Sequence, residues 1–152
     1  MSSCAGVTKL VILNGHGGND FRPMIRELIP QTPLFISTLN WYDVVDPAPY
    51  FAEPGDHAGE LETSVMQHLA PGLVRPLSEA GPGAAKSFRF AAFREGWAWA
   101  PRRWSAVTQD TGVGNPAQAT RENGKRYVEA VTRQIANFLV ELAGTPPDKM
   151  YG

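Results

Sequence analysis

An imidazole framed by glycines, Asn14-Gly15-His16-Gly17-Gly18-Asn19, and a polar run, Asp56-His57-Ala58-Gly59-Glu60-Leu61-Glu62-Thr63-Ser64, hold the residue types in this chain best suited to chemistry. Neutral imidazole and carboxylate are the donors that suit zinc, manganese or iron at low coordination number, and a hydrolytic centre also leaves a position open for water. His16 and Glu60 are therefore the candidate metal ligands. The glycines beside His16 lack a Cβ, which lets backbone turn tightly and approach a metal or substrate closely; the simpler alternative is a capped turn residue. His57 is open to three readings: a ligand, a general acid/base that passes a proton to a leaving nitrogen, or a helix cap. Glu60 and Ser64 share a helix face at i, i+4 and Glu62 points elsewhere, so Ser64 is expected to orient a ligand and Glu62 to stand behind the site or in a salt bridge. Asn14, Gly17, Gly18, Asn19, Trp41 and Asp56 complete the set expected to touch substrate or support the ligands. His68, a turn beyond Ser64, reads as an exposed helix residue.

These groups need elements to position them. Val7 to Leu13 is an aliphatic, β-branched run suited to a strand buried on both faces, so His16 follows the carboxyl end of a strand, where open parallel sheets bind ligands. Asp20 to Leu28 has helical spacing at Phe21, Met24, Ile25 and Leu28, and Pro33 to Leu39 reads as a second strand. Strand, helix, strand in that order predicts a right-handed parallel crossover. Asn40 to Gly55 contains Pro47, Pro49 and Pro54 and is a long connection of the kind that is often functional. A helix is expected to open near Asp56, with Leu61, Val65, Met66 and Leu69 inward, and to stop before Pro71. Ser87 to Phe93 alternates in the manner of an edge strand, and Ala117 to Leu142 carries an apolar stripe of Tyr127, Val131, Ile135, Phe138, Leu139 and Leu142. The whole of 1–152 reads as one domain, with 144–152 a flexible tail.

Composition narrows the function classes. With 152 residues, 43% of them hydrophobic, and 14 basic against 15 acidic side chains, the chain has a core and almost no net charge, which implies neither nucleic acid nor a membrane surface. It has no apolar stretch near the roughly 20 residues of a membrane span and no secretory signal pattern. The lone Cys4 fits a reducing compartment, so a cytoplasmic location is expected. Arg94, Trp97, Trp99, Arg102, Arg103 and Trp104 mix cations with aromatics and read as a pocket wall or subunit contact. Gly112-Val113-Gly114-Asn115-Pro116-Ala117 loosely matches a dinucleotide fingerprint but follows no apolar strand, neither glycine-rich turn has a phosphate-loop lysine, and no serine sits in a nucleophile elbow.

Leu10 to Asn19, LVILNGHGGN, and Asp56 to Ser64, DHAGELETS, in that order, together resemble the creatininase family of metal-dependent amidases and deformylases. GVGNPAQAT at 112–120 followed by a long helix is similar to that family's closing segment. The resemblance implies an α/β three-layer sandwich with a mainly parallel sheet, incomplete at the N-terminus because the chain covers only the C-terminal part of the family's usual length. It implies a centre of two zinc or manganese ions, with His16 a ligand and His57 the active-site acid/base. The family's upstream Glu, His and Asp ligands have no counterpart before Val7, and Gly18 stands where creatininase has a metal-binding glutamate, a role Glu60 is placed to fill. The implied activity is hydrolysis of a C–N bond in a cyclic amide or formamide other than creatinine, through metal-activated water. The alternative is a catalytically silent binding or assembly module that needs a partner or upstream segment. Apolar faces left open beside Val7 to Leu13 favour a homo-oligomer.

Overall fold

The protein is described by a computed structural model covering residues 6–152; Cys4 lies outside the described residues. Two compact units divide the described residues, one made of 6–46 and 130–152 and the other of 47–129.

The first unit holds the sheet. β1 (Lys9–Asn14) and β2 (Phe35–Asn40) pair in parallel with Lys9 opposite Phe35 and Asn14 opposite Asn40, and α1 (Arg22–Leu28) lies between them in sequence. The Asp20 carboxylate accepts the Arg22 N–H and Pro23 occupies the first turn, where its missing donor costs nothing. β1 is not covered on both faces as its composition suggests: Leu10 and Leu13 remain 44% and 58% exposed, because the described sheet has two strands and Ile36 is its one buried hydrophobic residue. The Lys9 ammonium is bonded to the carbonyls of Leu142, Ala143 and Thr145, where a cation meets the negative end of the long helix. Pro147–Lys149 forms a 3₁₀ turn in the segment expected to be a flexible tail.

The second unit positions the polar run. α2 (Glu60–Leu69) starts later than expected, with Gly59 rather than Asp56 at its N-cap. The backbone before it is committed elsewhere: Asp56 and His57 N–H groups donate to the Val113 carbonyl at 2.7 and 3.0 Å, and Val113 N–H returns a bond to His57 O at 2.8 Å. Leu61 and Val65 are buried, but Met66 and Leu69 are exposed. No edge strand forms at Ser87 to Phe93. The rings of Phe88 and Phe90 instead gather on Phe93, 4.8 and 5.9 Å between centroids, and the Arg94 guanidinium binds the carbonyls of Phe88 and Arg89 beside α3 (Ala91–Arg94). α4 (Trp104–Val107) is a single turn.

The last helix, α5 (Arg121–Gly144), also begins later than expected. Pro116–Gln118 is a separate 3₁₀ turn capped by Asn115, and the Thr120 hydroxyl accepts the Asn123 N–H at 3.1 Å, the geometry of an N-cap. Tyr127 is fully buried and takes the rings of Tyr50 and Phe51 edge-on at 5.4 and 5.3 Å, so the proline-rich connection supplies much of this unit's core. Val131 and Leu142 are buried as the stripe requires, while Leu139 is exposed. Among the described residues no helix is long and apolar enough to cross a membrane.

Candidate active site

In the first unit an asparagine pair holds the histidine loop. Asn14 and Asn40 end the two paired strands, and Asn14 is 2% exposed. Its amide nitrogen donates to Asn40 Oδ1 at 2.8 Å, and its oxygen accepts the His16 N–H at 3.1 Å and Asn19 Nδ2 at 3.2 Å. Asn40 donates in turn to Asp43, and the Trp41 indole donates to the Gly15 carbonyl at 3.3 Å. One buried side chain thus satisfies the backbone on both sides of the turn that presents the exposed imidazole of His16. At Gly18 a Cβ would stand 3.0 Å from His16 Nε2, so a side chain there would push the exposed imidazole aside by a few tenths of an ångström. At Gly17 a Cβ would make ordinary contact with the Tyr42 hydroxyl at 3.7 Å. Beside this loop lies a cavity of about 430 Å³ lined by Asn19, Asp20, Asn40, Tyr42 and Asp43 among others. Burial, and secondarily the Asp43 carboxylate, raise the Tyr42 phenol above its ordinary 10.0.

In the second unit the polar run wraps the start of α2. Glu60 is 2% exposed, and its Oε2 accepts the Glu53 N–H at 2.9 Å. His57 is half-buried, with Nδ1 3.8 Å from Glu62 Oε2 and its ring 5.0 Å from that of Trp104. Glu62 also accepts the Ala58 N–H at 2.7 Å, which fixes a residue held at a φ of 53°. Such backbone is uncommon for a residue with a side chain and collects at functional sites. Asp56 pairs with Arg102. Ser64 is fully buried and its hydroxyl accepts the Thr120 N–H at 3.0 Å, joining α2 to the segment that starts α5. A Cβ on Gly59 would stand 2.8 Å from the Gly55 Cα, so the glycine before Glu60 is a condition of close backbone packing.

The structure therefore brings Asp56, His57, Glu60, Glu62 and Ser64 together around one helix start, and Asn14, His16, Gly17, Gly18, Asn19 and Trp41 around two strand ends. Asn40, Tyr42, Glu53 and Thr120 were not singled out by their types. Asn40 was legible, since a second strand ending in asparagine puts an amide opposite Asn14. Among the described residues no three His, Cys, Asp or Glu side chains cluster closely enough to hold a metal ion. A zinc site takes three or four protein donors. The donors His16 and Glu60 are of the right chemical type, one in each of the two units.

Comparison with known proteins sets these features in a family. The creatinine amidohydrolase (creatininase) family profile matches residues 3–139. The chain belongs to the creatininase family. The mycofactocin precursor peptide peptidase of Mycobacterium tuberculosis (strain CDC 1551 / Oshkosh) is 30% identical over 153 residues, covering 94% of this chain and 54% of that protein. A candidate creatinine amidohydrolase of Bacteroides fragilis NCTC 9343 superposes with a TM-score of 0.88 at 48% identity, over 97% of this chain and 57% of its own. A mutant creatininase of the Zn–Zn type superposes with a TM-score of 0.62 at 25% identity, over 90% and 57%. The chain spans about half the length of the relatives it matches. The creatininase-like α/β fold expected from the two motifs is the fold observed.

Proposed function

We propose that this creatininase-family chain contributes to a metal-dependent amidohydrolase that cleaves a C–N bond, with His57 moving the proton and His16 and Glu60 the metal donors this chain supplies. The observation that carries the reading is the setting of His57. Its backbone is tied on both sides to Val113, Glu62 stands 3.8 Å from Nδ1, and Glu60 is buried three residues on. An imidazole held in that way and still half open to solvent can protonate a departing nitrogen. The metal supplies electrophilic activation of the amide or water when bound. Zinc or manganese, two ions in a complete centre, is the proposed cofactor, supported by the Zn–Zn type of one structural relative.

We also propose that the remaining ligands come from another segment or a partner chain and that the described residues alone are a poor hydrolase, since a centre of two ions needs more donors than His16 and Glu60. Separately, a cytoplasmic homo-oligomer is proposed, supported by the apolar side chains of Leu10 and Leu13 that remain exposed on β1. The substrate is a small amide or formamide; a short peptide is a further option raised by the peptidase relative. The test is hydrolysis of simple amides, formamides and short peptides with added zinc or manganese, with solution mass measured alongside. Turnover that appears only when a complementing segment or partner is present supports the proposal. A monomer of this chain with ordinary amidase turnover and two bound metals contradicts the shared-site element.

A further inference from the structure

Two stretches distant in sequence meet at His57 through a relay of side chains. The Arg102 guanidinium is bonded to the Asp56 carboxylate and also lies 4.9 Å above the Trp104 ring. The Trp104 ring stands 5.0 Å from the His57 imidazole at an interplanar angle of 57°. Trp104 is 38% exposed, so hydrophobic burial alone gives a poor account of a tryptophan here. The bonds to Val113 fix the His57 backbone, and Glu62 Oε2 stands 3.8 Å from Nδ1, a longer separation than a hydrogen bond. Something must restrain the ring if the histidine is to present one nitrogen to a substrate. Trp104 is the aromatic group packed against it, and Arg102 ties that indole to Asp56, the residue immediately before His57.

We infer that Trp104, held by Arg102 and Asp56, is a positioning residue that fixes the imidazole of His57. The inference rests on the catalytic reading of His57 for its consequence in turnover, but not for its structural content. The relay closes on itself. Asp56 anchors Arg102, Arg102 covers one part of Trp104, and Trp104 packs on the neighbour of Asp56, so breaking any link loosens the ring at the end of it. This gives a role to one part of the cation and aromatic cluster between Arg94 and Trp104.

Ring-labelled histidine NMR on the whole chain tests it, because there are three histidines and His16 and His68 serve as internal references. The Trp104 indole displaces the His57 ring protons by its ring current. Trp104→Leu should abolish that displacement, Trp104→Phe should retain part of it, and Arg102→Leu should reduce it without touching His57. Arg103→Leu, at the exposed neighbour, should leave it unchanged. In a turnover assay of the complete site, Arg102→Leu should lower kcat by roughly 10-fold or more with KM unchanged, the scale on which misplacement of a catalytic group acts. His57 signals unmoved by both Trp104→Leu and Arg102→Leu would overturn the inference, as would an Arg102→Leu effect no larger than that of Arg103→Leu. Should Trp104→Leu fail to fold, Trp104→Phe and Arg102→Leu carry the same comparison. If the NMR pattern holds and His57→Asn leaves turnover intact, the relay stands and the catalytic reading fails.

Discussion

Gly124→Ala sets two opposing effects against each other. Gly124 lies in the first turns of α5, and replacing a helical glycine by alanine ordinarily stabilises by about 1 kcal/mol. Here a Cβ would stand 1.9 Å from the Ser64 carbonyl oxygen and 2.8 Å from the Val65 nitrogen, both backbone atoms of α2. Ordinary contact requires the helices to part by roughly 1.5 Å, and overpacking of this kind costs about 1–3 kcal/mol. The same movement stretches the 3.0 Å bond from Thr120 N–H to the Ser64 hydroxyl, worth about 1 kcal/mol with one partner buried. The steric term wins, for a net loss of about 2 kcal/mol. With urea m-values of about 1–3 kcal/mol/M, the midpoint should fall by roughly 1 M. Gly144→Ala is the control, since a Cβ there meets nothing within 4 Å and its midpoint should hold or rise slightly. An unchanged or raised midpoint for Gly124→Ala would refute the close approach of α2 and α5.

Two further outcomes follow from the first unit. Asn14→Ala leaves the His16 N–H and the Asn40 amide without their shared partner, and should cost about 2 kcal/mol while speeding hydrogen exchange at the His16 amide. Tyr42 gives a pH signature: its phenol is raised in the folded state, so its contribution is intact below the ordinary 10.0 and is lost as pH rises beyond that value. Urea midpoints taken from neutral to strongly alkaline pH should therefore fall more steeply for the parent than for Tyr42→Phe; identical slopes would count against the raised phenol.

Much of the site was legible because its positions follow from local rules. The apolar run at Val7 to Leu13 and the helical spacing from Phe21 to Leu28 placed His16 after a strand in a parallel pair, as observed. The start of α2 was misplaced because a local rule lost to a distant partner. Asp56 is a good capping residue, but its backbone and that of His57 pair with Val113, more than fifty positions away, and no local pattern reports that bridge. The Ser87 to Phe93 alternation failed for a related reason, since its three phenylalanines pack on one another rather than on a sheet. Ser64 was singled out by its spacing from Glu60, and the structure shows its hydroxyl engaged with Thr120.

The most direct test of the central claim measures metal content and turnover together in the assembled enzyme carrying His57→Asn. If His57 moves a proton, the variant should keep its zinc or manganese and lose turnover by roughly 10²-fold or more, the usual scale of acid/base catalysis, whereas His16→Ala should lose the metal itself. Loss of metal in His57→Asn would make His57 a ligand instead, and undiminished turnover with metal retained would contradict the account.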